Sequence, residues 1–175
     1  MPLTPNGLPY PADTDPPNVP TDIQNLAEAL DRYAHTAVGG VYVRNINQTI
    51  PTGTSTWTMV QGGLSFVEGA LTLNVATGEI TIGVAGLYQL YGWATWVASA
   101  AGTMRHASWW VNTTRVARAS VAPSAAGVMT AHCSTLARLG VTAKVSLQVM
   151  HDAGAALALD GTQNATGYTI TRIAP

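Results

Sequence analysis

The chain has 175 residues, enough for one domain whose core needs no covalent staples. Only 10% of them are charged and the formal net charge is −1, so the basic footprint of a nucleic-acid binder is missing. No stretch approaches the roughly 18 uninterrupted apolar residues that cross a bilayer, and the first twenty residues have neither the basic start nor the apolar run of a secretory signal. These features predict a soluble product made in the cytoplasm, with no nucleic-acid partner and no membrane insertion.

Residues 1–20 hold seven prolines among Asn, Asp, Thr and Gly. Proline lacks the backbone donor and fixes φ, so the segment is expected to be extended with little core of its own. In an assembly it is a docking arm, with Leu8, Tyr10, Pro16, Pro17 and Val19 as its candidate contacts.

At Thr21 the pattern changes. The run "TDIQNLAEALDRYAHTAV" opens on an N-cap residue, places Asp22 and Glu28 early and Arg32 and His35 late, and has no Gly or Pro before Gly39. A helix is expected over 21–38. Its Ile23, Leu26, Leu30 and Tyr33 follow a heptad-like spacing. Either the helix lies on the domain, or these four are axis contacts of a short helical bundle in an oligomer.

From residue 41 the chain reads as short strands, expected at 41–47, 56–60, 64–67, 70–75, 79–84, 87–98, 105–112, 115–121, 128–138, 143–150, 155–159 and 166–173. Clusters of Gly, Pro, Asn, Asp or Ser separate them. Many strands with no helix between them predict an all-β antiparallel sandwich or jelly roll.

The strand over 87–98 is apolar on both faces. Leu87, Tyr91 and Trp93 alternate with Tyr88, Leu90 and Trp96, because successive side chains of a strand point to opposite sides. In "HASWWVN" the adjacent Trp109 and Trp110 must also diverge. A sandwich buries one face of each strand, so two such strands predict cover from another subunit, as in a symmetric homo-oligomer. The single Cys133 falls on one face with Met129 and Ala131 and reads as a small buried hydrophobe.

The run "TGEITIGVAGLYQLYGW" resembles the strand pair of the jelly-roll superfamily that comprises the complement globular head and the tumour-necrosis-factor (TNF)-like domains. Thr77, Gly78, Ile80, Thr81, Ile82, Gly86, Tyr88 and Leu90 carry the match. "VYVRNINQTIPTGTSTWTMV" is similar to the opening strand and turn of bacterial and phage members, and "ASWWVNTTRVARA" to a strand, an Asn turn at Asn112 and a strand. Thr142-Ala143 stands where the family has a Gly-Asp turn. The resemblance covers about 41–175 and implies a compact ten-strand jelly roll, a tight homotrimer and a binding or assembly role without catalysis. It also implies that "ATGYTITRI" runs near the threefold axis, which adds Tyr168 and Ile170 to Leu87, Tyr91, Trp93 and Trp109 as candidate trimer contacts. The proline-rich arm ahead of a small β head resembles minor tail and fibre proteins of phages that infect actinobacteria. In those the N-terminus docks on the virion, and the Ala, Gly and Val content, with one lysine against seven arginines, agrees with a GC-rich genome.

The residues offer little chemistry. His35, His106, His132 and His151 are scattered, and no metalloprotease helix, nucleophile elbow, phosphate loop or paired Cys/His spacing occurs. His151-Asp152 reads as a turn at a strand end. Glu68, Glu79, Asp152 and Asp160 lack the ligand-dense loop of a calcium site. Neither a cofactor nor a metal is expected. Trp57, just after "PTGTS", is the candidate glycan contact, whereas Trp93, Trp96, Trp109 and Trp110 lie inside strands and read as core or trimer interface. The resulting expectation is a non-enzymatic virion protein, a trimeric tail fibre or knob with arm 1–20, helix 21–38 and head 41–175, displayed for attachment to the host surface. Its alternatives are a capsid decoration or head fibre, and a free carbohydrate-binding TNF-like module.

Overall fold

The computed structural model describes residues 21, 23–28 and 38–175, with the backbone alone over 63–65. In the N-terminal unit, Met1–Ala37, residues 21 and 23–28 are helical, and Gln24 Nε2 donates to Glu28 Oε1 at 2.9 Å one turn on. Of the proposed axis contacts, Ile23 and Leu26 fall in this helix and are exposed. Leu30, Tyr33 and the arm residues Leu8, Tyr10, Pro16, Pro17 and Val19 lie outside the described residues.

The second unit, Val38–Pro175, is an all-β antiparallel sandwich. Its strands are β1 Gly39–Val43, β2 Gln48–Ile50, β3 Thr58–Met59, β4 Gly63–Glu68, β5 Leu71–Asn74, β6 Glu79–Ile82 and β7 Gly86–Trp96. There follow β8 Arg105–Val111, β9 Thr114–Val121, β10 Met129–Leu139, β11 Lys144–His151, β12 Leu157–Leu159 and β13 Gly167–Ala174. One sheet runs β2-β12-β7-β13-β1-β4 with β10 on the other flank of β7. The second runs β5-β6-β11-β8-β9 with β3 against β11.

The strand expected over 41–47 stops early, and a short strand not expected from the sequence follows it at 48–50. β1 ends at Val43, and β2 leaves to pair with β12. Arg44 sits in the break, where its N–H still donates to the Thr166 carbonyl at 3.0 Å and its buried guanidinium turns inward to the carbonyl oxygens of Ile46 and Gln61.

Between the sheets, Tyr88, Leu90, Ala94 and Trp96 of β7 meet Val145, Leu147 and Val149 of β11 and Ala107 and Trp109 of β8, all without solvent exposure. The sheets approach closely at Gly92, where a Cβ would lie 2.8 Å from both methyls of Leu147. Tyr168 of β13 anchors the centre. It stacks on Tyr42 at 4.9 Å, meets Trp109 edge to face at 5.7 Å and donates to the Gly78 carbonyl at 3.1 Å. Gly78 has φ +77 and its Cα abuts the Val60 carbonyl, a position open only to glycine. Cys133, Met129 and Ala131 point inward as expected, and burial pushes the Cys133 thiol up.

Candidate interaction surface

β7 supplies the axis of the outward face of the seven-stranded sheet. Leu87, Gln89, Tyr91, Trp93 and Thr95 alternate with the buried set and so leave the sandwich. Pairing then aligns Tyr91 with Ser134 of β10 and Thr169 of β13, Thr169 with Val41 of β1, and Val41 with Phe66 of β4. That row crosses five strands, about 20 Å at the usual strand spacing, and carries no charged side chain. The next row sets Val43, Gly167, Trp93 and His132 abreast.

Gly167 permits the second row. A Cβ there would meet the Trp93 indole at 2.7 Å, so the ring lies over bare backbone while its Nε1 donates to the Asn164 carbonyl at 3.2 Å. Tyr91 stacks on His132 at 5.9 Å and meets the tilted Trp93 ring at 5.7 Å, and its hydroxyl is 2.8 Å from His132 Nδ1. On this face Phe66 is 55% exposed, Tyr91 37% and Leu136 58%, and Ile173 at the bulge that ends β13 is 50% exposed. Arg138 and Glu68 stand at its margins. Large apolar side chains around an uncharged centre mark a surface built for contact.

Of the six candidate trimer contacts, Leu87, Tyr91 and Trp93 lie on this face. Trp109, Tyr168 and Ile170 do not: all three are wholly buried between the sheets. A side chain without exposure has nothing to offer a partner, so their role is to hold the sandwich together. The outward neighbours of Tyr168 and Ile170 are Thr169 and Thr171. Phe66, Val41, Leu136 and His132, which share the face, come from three other strands; only pairing brings them beside Tyr91.

Trp57 lies on the outer face of the other sheet, 5.8 Å from Trp110 and 6.1 Å from His106. Trp110 is therefore neither core nor part of the uncharged face.

His151, Asp152, Glu79 and Asp160 are each engaged within the fold. His151 accepts the Ala153 N–H on Nδ1 at 3.2 Å, which leaves Nε2 to donate to the Ile50 carbonyl at 2.9 Å. Asp152 instead accepts from Thr103 Oγ1 at 2.5 Å, Thr103 N at 2.8 Å and Met104 N at 3.0 Å, with the Arg105 guanidinium at 3.8 Å. These bonds, led by the Thr103 hydroxyl, draw its carboxyl down to about 2. The neighbours thus serve separate networks and form no acid–base pair. Glu79 binds Lys144 at 2.8 Å and Asp160 caps Thr162. Among the described residues no three of His, Cys, Asp and Glu gather to hold a metal, and no helix is long and apolar enough to cross a membrane.

No protein-family model matches the chain, and no curated protein matches it. Solved structures do. Murine APRIL at pH 5.0 superposes with a TM-score of 0.60 at 12% identity, covering 79% of this chain and 100% of its own. Eiger TNF from S. frugiperda superposes with a TM-score of 0.63 at 7% identity, covering 79% of this chain and 93% of its own. The chain therefore has the TNF-like jelly-roll fold.

Proposed function

We propose that this protein is a non-enzymatic homotrimeric attachment module, assembled through the outward face of β4, β1, β13, β7 and β10. The observation that carries the reading is the uncharged row Phe66, Val41, Thr169, Tyr91 and Ser134, flanked by Trp93, Leu136 and Ile173. TNF-like domains usually form homotrimers, and a face of this kind is what such packing needs. Burying apolar surface contributes about 25 cal/mol per Å², so covering several large side chains favours assembly.

The biological setting proposed is a phage virion, with the head as a tail fibre or knob that meets the host surface and the proline-rich segment 1–20 as the docking arm. Support comes from the arm's composition and from the resemblance of arm plus β head to minor tail proteins. A capsid decoration or head fibre uses the same parts on another docking surface. A free carbohydrate-binding module is the second reading, favoured by the Trp57 and Trp110 pair on the opposite sheet.

Light scattering on the full chain tests the assembly. A mass about three times the 18.2 kDa chain mass is expected, and Tyr91→Arg, which places a charge at the centre of the face, is expected to give folded monomers. A wild-type monomer, or a trimer indifferent to Tyr91→Arg and Leu136→Glu, refutes this interface. Antibodies to the chain that fail to label any phage particle would refute the virion setting.

A further inference from the structure

The outer face of the six-stranded sheet holds a second constellation. β8 and β9 pair with a bulge between Trp109 and Trp110: Trp109 opposes Ala117 and Trp110 opposes Arg115, so Val116 is the extra residue. Without it Arg115 and Arg118, three apart, would point to opposite faces. With it Arg115 lies opposite Trp110, and Arg118 opposite Ser108, on one outward face.

Arg115 is held there by aromatic rings. Its guanidinium carbon lies 5.5 Å from the Trp57 ring centroid and 5.9 Å from that of Trp110. Neither arginine has a carboxylate partner among the described residues. Ser108 sits between His106 and Trp110 on the same face, beneath the Trp57 ring that reaches both. It is wholly buried, and its hydroxyl and the Trp110 Nε1 are buried without a hydrogen-bond partner among the described residues. A chain with net charge −1 thus keeps on this face two guanidinium groups without a carboxylate partner among the described residues, one of them oriented by two indoles.

We infer that Trp57, Trp110, Arg115 and Arg118 form a binding site for an anionic glycan, its charge a carboxylate or a phosphodiester. Guanidinium groups match either oxyanion with paired hydrogen bonds, and the partly exposed indoles supply apolar surface for the C–H face of a sugar ring. His106, with Nδ1 2.5 Å from the Ser120 hydroxyl, borders the site. The inference rests on the attachment reading and names its ligand class. The site lies on the sheet opposite the proposed subunit interface, so the two fail separately: a trimer that binds no anionic glycan refutes the site alone, and a monomer that binds one refutes the assembly alone.

The test is tryptophan fluorescence of the full chain, titrated with tetragalacturonate, poly(glycerol phosphate) and neutral maltotetraose. Saturable quenching by at least one polyanion is expected, weakening as salt rises, with none by maltotetraose; the polyanion that acts identifies the source of the charge. Arg115→Gln and Arg118→Gln, at exposed positions of β9, are each expected to weaken binding about tenfold with unchanged circular dichroism. The inference is overturned if neither polyanion saturates at millimolar concentration, if maltotetraose binds as well, or if both folded variants bind like the wild type.

Discussion

The hydroxyl of Tyr91 stands 2.8 Å from Nδ1 of His132, on the outside of the sheet and flanked by the Trp93 ring. A hydrogen bond in water contributes little, whereas the same bond shut into an interface leaves a costly orphan when one partner is removed. Tyr91→Phe is therefore expected to leave the fold intact and to weaken assembly by about 1 to 2 kcal/mol. Light scattering over a dilution series reads the change. If the variant assembles as tightly as the wild type, the pair is not enclosed by a neighbour.

The close approach of Gly92 to Leu147 across the two sheets gives a second prediction. Gly92→Ala places a methyl 2.8 Å from both Leu147 methyls and should cost about 1 to 3 kcal/mol through overpacking. Leu147→Ala alone opens a cavity and costs about 2 to 5 kcal/mol. Because the added methyl enters the space that truncation vacates, the double variant should lose less than the sum of the two. Urea unfolding of the four proteins measures the coupling, and strict additivity would contradict the packing described.

Thr142 has φ 68, left-handed backbone that a β-branched residue adopts only under strain. Its N–H donates to the Ile82 carbonyl at 2.7 Å, so the turn is held while the side chain opposes it. Thr142→Asn, which tolerates this conformation, should raise stability by about 0.5 to 1 kcal/mol. A melting temperature that falls would show that the threonine side chain supports the turn.

Acid should act on two groups in separate windows. Asp152 titrates at about 2 in the fold against an ordinary value of 3.8. Its stabilising bonds are thus fully present above 3.8 and lost as pH falls toward 2. His106 is lowered from 6.5, first by burial and then by Arg118. The unfolded chain accordingly takes up that proton first, and stability declines as pH drops below 6.5. Asp152→Asn is expected to flatten the acid limb of the stability profile, and His106→Gln the limb beginning near 6.5. Denaturant midpoints across pH check both, and parallel profiles for the variants and the wild type would remove these groups as the cause.

Much of the fold was legible because side-chain alternation is local. Nearly every strand lies close to its expected position, and β7 declared itself apolar on both faces. The errors came where alternation was set aside or could not decide. In "GYTITR" the threonines already marked the outward side and put Tyr168 and Ile170 within; the resemblance to a strand near a threefold axis suggested the reverse. For Trp109 and Trp110 the sequence requires divergence but is silent on direction, which depends on the neighbouring sheet.

By itself, then, the sequence determined the all-β class, the strand positions and the existence of one surplus apolar face, since each follows from a period of two along the chain. Only the tertiary structure decided what lies on the surfaces. Phe66, Val41, Thr169, Tyr91 and Ser134 become one row through the pairing of five strands. Arg115 and Arg118 share a face through a bulge at Val116. Strand register joins residues far apart in the chain, and a single extra residue reverses every side chain beyond it, so neither arrangement is written in any local stretch.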